Sequence, residues 1–552
     1  MAKGISSEIP FFIFLWFLFS DFYSNFIRFI WYIFFMNNQK EKERAELHKT
    51  IWSIANDLRG SVDWWDFKQY VLWMLFYRFI SENLTAFINE MERSSWNEDF
   101  DYAKLSDEDA EIAREQVLLA KWFYILPSEL FQNVVKRAKT DENINETLDN
   151  IFRNIENSAK WMESEDDLNW LFDDLDVNSK KLWNTTVERN KKLVKLLETI
   201  WGLNLWYADN TIDAFGDAYE YLMTMYASNA GKSWWEFFTP QEVSELLAKI
   251  VTYWKTQVNK VYDPACWSGS LLLKFAKILG KENVKEWFFG QEINITTYNL
   301  CRINMFLHDI NYEKFDIALW DTLLHPAHVD EEPFDAIVSN PPYWTKWVWD
   351  DNPLLINDER FAPAWVLAPK GKADLAFTMH MLHWLSAQWT AAIVEFPGVL
   401  YRWQAEQKIR KYLVDNNFVD TVIQLPEDLF FWTSIATCII VLKKNKKDTD
   451  IAFIDASKEF IHVWNKNSLS EDNQNKIFEM YVNRKDVDHV CKIVKYDTIK
   501  DNWYNIYVPT YVEAEDTREI VNIDELNKKI AKTVEKEDRL RSEIDKIIKD
   551  NF

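Results

Sequence analysis

Glycine is nearly missing from this chain. There are 10 glycines in 552 residues, where ordinary usage near 7% would supply roughly 39. Cysteine is also scarce. Cys266, Cys301, Cys438 and Cys491 lie far apart, with no C-x-x-C pair and no histidine cluster. That excludes a disulfide framework and a structural zinc site, and it points to a reducing, cytoplasmic compartment. Basic charge is short as well: 63 Lys and Arg stand against 87 Asp and Glu, a formal net charge of −24. A large basic DNA-binding face on this chain alone is therefore excluded, and a nucleic-acid substrate would need a partner to supply much of the phosphate grip. Long apolar runs are confined to residues 11–35. Asp21, Asn25 and Arg28 interrupt that stretch, and it carries no small-residue cleavage site.

What replaces glycine is tryptophan, with 29 residues, a surplus close in size to the glycine deficit. Its positions are those of turns. Trp234 and Trp235 follow Gly231-Lys232-Ser233, Trp267 interrupts a run of small residues, and Trp344, Trp347 and Trp349 crowd one short segment. Such places want positive φ or close backbone approach, which glycine permits and tryptophan opposes. The expectation is that many of these tryptophans are UGA codons that the source organism reads as glycine.

At this length the chain has room for two to four domains. Residues 1–35 are read as an apolar extension absent from the working protein, because Met36 opens a polar helical pattern; a true N-terminal anchor is the alternative. Residues 36–200 form a helical domain, with Leu47, Ile51, Ile54, Ala55 and Leu58, then Tyr70, Leu72, Leu75, Phe76, Phe79 and Ile80, at helical spacing. From 201 to 475, strand-like runs alternate with helical ones: Lys260–Tyr262, Trp287–Gln291, Phe315–Leu319, Ala336–Val338, Ala391–Phe396, Val419–Gln424 and Thr437–Leu442. That alternation predicts an α/β, doubly wound, largely parallel Rossmann-like sheet. Residues 476–552 are read as a C-terminal helical region for subunit contacts. Its tail carries Ile523, Leu526, Ile530, Thr533, Glu537, Leu540, Ile544 and Ile547 at three–four spacing, and the two polar breaks at Thr533 and Glu537 make it a weak heptad.

Two motifs carry chemistry. The first strand runs into Asp263-Pro264-Ala265-Cys266-Trp267-Ser268-Gly269-Ser270, a small-residue turn entering a helix. An ordinary βα loop would read the same, but Glu292 follows Gly269 by 23 residues at the end of the next strand. That is the distance at which an acid takes ribose hydroxyls. Absence of a P-loop lysine suits a donor without phosphate. Asp321, after the third strand, is placed to accept from an adenine amino group, and Phe237-Phe238 before Thr239-Pro240 suit an apolar wall over the donor. The second motif is Asn340-Pro341-Pro342-Tyr343 at the end of the fourth strand. The Asn340 side-chain oxygen and the Pro341 carbonyl can both accept from one NH₂ group, Pro341 and Pro342 fix the turn, and Tyr343 offers a ring to a planar base. A methyl donor beside an amino group is the combined reading. A base amine inside a duplex must first be flipped out, and positioning and desolvation then do most of the work, with no metal or covalent nucleophile required.

Residues 36–552 resemble the modification subunit of type I restriction–modification systems, a family of DNA adenine-N6 methyltransferases. The resemblance is carried by GKSWWEFFTPQ (231–241), DPACWSGSLLL (263–273), FFGQEIN (288–294), FDAIVSNPPY (334–343), NDERFAPA (357–364), FPGVLYRWQAEQKIRKYLVDN (396–416) and LFFWTSIATCIIVLKK (429–444). It implies an S-adenosylmethionine-dependent catalytic domain between a helical N-terminal domain and a C-terminal helical tail. It further implies donor binding through Glu236, Phe237, Phe238, Thr239, Pro240, Gln241, Ser268, Gly269, Ser270 and Glu292. The family works on DNA as two such subunits on one specificity subunit, joined by a restriction subunit for cleavage; a membrane role is not implied. Two other readings remain at this point: a protein-glutamine N5-methyltransferase, whose substrate amide presents a similar NH₂, and a non-catalytic scaffold of a DNA-defence complex.

Overall fold

A computed structural model describes residues 42–551, apart from 43, 52–63, 96, 163, 181–183, 206–213, 230–238, 344, 348–353, 431–432, 464–465 and 516–522. The apolar stretch at 11–35 lies outside the described residues, as do Trp234, Trp235, Trp344 and Trp349. Among the described residues no helix is long and apolar enough to cross a membrane.

The N-terminal part is helical, as its spacing predicts. Helix α1 (Trp64–Ser94) buries Trp73, Phe76 and Tyr77 completely, and α2 (Ile144–Ser158), α3 (Thr186–Trp201) and α4 (Ala214–Asn229) follow it. The Trp73 indole nitrogen donates to the Leu171 carbonyl at 2.9 Å. Buried Arg302, from the sheet-bearing half, donates to the Asp166 and Asn169 carbonyls at 3.1 Å each, which joins the two halves of the molecule.

The C-terminal half opens with α5 (Gln241–Val251) and is built on a nine-stranded sheet. Strands β1 (Val258–Asp263), β2 (Val284–Glu292), β3 (Phe315–Leu319), β4 (Phe334–Ser339) and β5 (Leu385–Glu395) are mutually parallel. They are joined by crossover helices that include α6 (Ser270–Leu279), α7 (Ile295–Leu307) and α8 (Asp374–Trp384). After α9 (Ala405–Asp415) come β6 (Val419–Gln424) and β7 (Cys438–Lys443), with β7 inserted antiparallel between β5 and β6. Strand β8 (Ile451–Asp455) pairs parallel with β6. A hairpin of β9 (Ile461–Val463) and β10 (Lys466–Ser468) stands apart from the sheet, followed by α10 (Glu471–Asn483). Strand β11 (Cys491–Val494) closes the far edge, so the sheet reaches past residue 475. The order is β11-β8-β6-β7-β5-β4-β1-β2-β3. Apolar side chains of the central strands point to both faces and build a separate core on each, as expected of a sheet covered on both sides. The chain ends in α11 (Ile523–Asn551).

Seven of the fourteen non-glycine residues with left-handed φ among the described residues are tryptophans: Trp122, Trp161, Trp170, Trp254, Trp267, Trp365 and Trp503, at 52° to 72°. Left-handed backbone is costly for a residue with a Cβ and typical of glycine at helix ends. Of the tryptophans named above at expected glycine positions, Trp267 lies on such backbone. Trp347 differs: it is half-buried without a left-handed φ, and its indole donates to the Pro369 carbonyl at 3.2 Å.

Candidate active site

The strand order reverses between β1 and β4, where the crossovers lead away on opposite sides. A crevice opens outside the carboxyl ends of those two strands. The turn after β1 and the Asn-Pro-Pro-Tyr after β4 are thereby made neighbours, and Ser339 donates from its hydroxyl to Asp263 Oδ1 at 2.9 Å across the join. Asp263 is fully buried. Its Oδ1 also accepts from the Ala265 N–H at 3.0 Å, while Oδ2 has no partner among the described residues. Burial pushes this carboxyl up to about 7, against the pull of the Ala265 and Ser339 hydrogen bonds.

Beyond Asp263 the chain turns sharply into α6. Gly269 is left-handed at φ 74°, and a Cβ there would stand 2.7 Å from Cys301 Sγ, so only glycine fits. Ser270 is the first residue of α6, and the Ser268 carbonyl accepts from Asn304 at 2.8 Å. Glu292, at the tip of β2, is buried, and that burial raises its carboxyl. Its two oxygens accept from the Trp267 N–H at 3.2 Å and the Asn294 N–H at 3.0 Å. Asp321 closes a turn after β3, with Oδ1 accepting from the Leu323 and Leu324 N–H groups at 2.9 and 3.2 Å. Glu292 and Asp321 both line a cleft of about 370 Å³, together with Trp267, Pro342, Trp347 and Phe377.

Asn340 sits at the end of β4, 1% exposed. Its amide is held at both ends. Nδ2 donates to Thr239 Oγ1 at 2.9 Å, and Oδ1 accepts from the Tyr343 hydroxyl at 2.5 Å. The Tyr343 ring is buried, 6.4 Å from the ring of Phe396. Thr239 is buried just before α5; Pro240 caps that helix and Gln241 is its first residue. Glu236, Phe237 and Phe238 lie outside the described residues.

Several supporting contacts were not visible in the sequence. Arg360, within the NDERFAPA segment, donates to the Thr322 and Leu323 carbonyls at 3.0 and 2.8 Å and thus grips the turn that carries Asp321. It also approaches His380 Nδ1 at 3.1 Å. Since a guanidinium only donates, that nitrogen accepts, and Nε2 is left to donate to the Tyr262 hydroxyl 3.0 Å away. Burial, with the Arg360 charge beside it, keeps this imidazole well below its ordinary range and neutral. Long-range pairs of this kind leave no local pattern; the one available signal was a charged Asp-Glu-Arg amid an otherwise apolar block.

Comparisons with known proteins converge on one family. Residues 210–520 match the N-6 DNA methylase family and residues 47–200 the HsdM N-terminal domain. The chain is 48% identical over 532 residues to the type I restriction enzyme MpnII methylase subunit of Mycoplasma pneumoniae, covering 93% of this chain and 98% of that one. It is 33% identical over 344 residues to the MjaVIII methylase subunit of Methanocaldococcus jannaschii, 59% of this chain and 58% of that one. Among solved structures, the methyltransferase subunit of a type I restriction–modification system from Streptococcus thermophilus superposes with a TM-score of 0.77 at 34% identity, over 85% of this chain and 100% of that one. This chain therefore belongs to the N-6 DNA methylase family, among the methylase subunits of type I restriction enzymes.

Proposed function

We propose that the cleft binds S-adenosylmethionine and that the protein transfers its methyl group to N6 of an adenine flipped out of DNA, as the modification subunit of a type I restriction–modification complex. One observation carries this reading: Asn340, with an amide oxygen at the mouth of β4, adjoins the β1 loop and the acid-lined cleft across the sheet's switch point.

The residues fit the donor. Asp263 offers a buried oxygen without a partner, suited to the donor's amino group. The Ser268–Ser270 turn brings backbone close at Gly269, Glu292 suits the ribose hydroxyls, and Asp321 at the far wall suits the adenine. When bound, S-adenosylmethionine supplies a methyl group on a positively charged sulfur. The chain's own part is to hold the target amine. Asn340 Oδ1 and the Pro341 carbonyl accept its two N–H groups and so support the nitrogen lone pair. Pro341 and Pro342 keep the turn rigid, and the Tyr343 ring stacks on the base. Two copies of this chain on a DNA-reading specificity subunit, with a restriction subunit, form the assembly. Residues 476–552 serve its subunit contacts and 201–475 its chemistry, beside the helical domain of 36–200.

The test is Asn340→Ala in the assembled enzyme. Methyl transfer should fall by about two orders of magnitude or more, the scale of losing one preorganised group at a reacting centre, while calorimetry finds S-adenosylmethionine affinity unchanged. Equal loss of binding and turnover would assign Asn340 to folding.

A further inference from the structure

The amide of Asn340 can serve as an acceptor only if its oxygen, and not its nitrogen, faces the incoming amine. An asparagine side chain is nearly symmetric in shape, so packing alone does not choose between the two orientations; its hydrogen bonds do when the hydroxyl at the nitrogen end accepts and the one at the oxygen end donates. In this molecule the oxygen end is occupied by the Tyr343 hydroxyl at 2.5 Å. On the reading above, the Tyr343 ring leaves that contact when it turns to stack on an entering base. The nitrogen end must then fix the amide by itself. Among the described residues the one acceptor for Nδ2 is Thr239 Oγ1, 2.9 Å away and 2% exposed.

We propose that Thr239 is a positioning residue of the methyl-acceptor site: its hydroxyl holds the Asn340 amide oxygen-outward while the target amine displaces the Tyr343 hydroxyl. This rests on the assignment of Asn340 above, and it gives Thr239 a task different from the donor contact expected of its motif. The architecture supports it. Thr239 is followed at once by Pro240, the cap residue of α5, and α5 packs its apolar face (Val243, Leu246, Leu247, Ile250) against β4 and β5. The helix start is thereby fixed at the carboxyl end of the strand that delivers Asn340. The Thr239 backbone is thereby anchored beside Asn340.

Removing this hydroxyl leaves a buried amide N–H unpaired and frees the side chain to turn. The consequence falls on the reacting geometry, where a displacement of about 1 Å can cost about a hundredfold in rate. The experiment compares Thr239→Val, which keeps the shape, with Thr239→Ser, which keeps the hydroxyl, in the assembled enzyme. Turnover on target DNA is measured alongside S-adenosylmethionine affinity by calorimetry on the full chain. Thr239→Val should lower kcat by up to about a hundredfold with donor affinity unchanged, and Thr239→Ser should restore most of the rate. A Thr239→Val enzyme with unaltered kcat overturns the proposal. So does one whose donor affinity falls as far as its rate, since Thr239 would then be a donor contact. Should the valine variant fail to fold, Thr239→Ala carries the same expectations. Asn340→Ala run in parallel separates the two readings: an active Asn340→Ala enzyme removes the assignment of Asn340 itself, whereas an inactive one beside an active Thr239→Val removes only the role of Thr239.

Discussion

Asp263 shows most clearly how burial sets the chemistry of one residue. Its carboxyl is pushed up to about 7 because no cation offsets its burial. The sign of the consequence follows. A donor amino group is positively charged and favours the carboxylate, so donor affinity should be full above about pH 7. Below that it should weaken by up to about tenfold per pH unit, as a proton must be displaced. For folding the same shift acts oppositely to a salt-bridged acid. The folded state holds its proton where the unfolded chain has lost it, so stability declines as pH rises from the ordinary aspartate range through about 7. Calorimetric titration of S-adenosylmethionine across that range, with wild type and Asp263→Asn, checks the first claim. A flat profile for wild type, or the same slope in both proteins, would remove Asp263 from the donor site. The sequence names Asp263 as a donor-site candidate, but its raised carboxyl comes from complete burial, which the Ala265 and Ser339 hydrogen bonds only partly offset, and that burial is a property of the packed sheet.

At the scale of elements, the strands show what a sequence can and cannot convey. Phe315–Leu319 and Val419–Gln424 are strands with those bounds, and β1 and β4 extend their expected cores by one or two residues at each end. The β-branched runs between turn residues were enough for these. Strand β11 and the β9–β10 hairpin have only three or four residues each, too short to carry a period, and nothing in the β7 run announces that it enters antiparallel. Some tryptophans that the sequence reading did not single out stand just past helix ends. Trp254 follows α5 at φ 64° and Trp365 ends a short 3₁₀ turn at φ 58°; they are 83% and 88% exposed and so gain little from burial. Trp254→Gly and Trp365→Gly should each raise stability by about 1 kcal/mol, the cost of left-handed backbone for a side-chain-bearing residue. Trp73 and Trp384 are different, being almost wholly buried, and truncating either to alanine should cost about 3–5 kcal/mol. Denaturant midpoints of the four variants separate tryptophans that stand on glycine backbone from those that fill a core. Destabilisation by all four would leave the excess of tryptophan unexplained.

For the whole molecule, charge and the last helix point the same way. A net charge of −24 repels the DNA backbone, yet the family acts on DNA, so on our reading much of the phosphate grip comes from a partner. Helix α11 extends for 29 residues with Ile523, Leu526, Ile530, Leu540, Ile544 and Ile547 exposed along it, each between 45% and 71%. A stripe at this spacing, though broken at Thr533 and Glu537, suits a seam between helices, since in water it remains costly until another helix covers it. The covering helix on our reading belongs to the specificity subunit. The isolated chain should accordingly bind DNA weakly and without sequence preference. With the partner subunit it should give a defined footprint, and replacing Ile530 and Ile544 by aspartate should abolish that footprint while leaving S-adenosylmethionine affinity untouched, since the donor cleft lies in the sheet domain. Size-exclusion chromatography with the partner, calorimetry and footprinting read the three quantities separately. Assembly that survives the double substitution would move the contact to the N-terminal helices, and a sharp footprint from the chain alone would mean that it reads DNA unaided despite its charge.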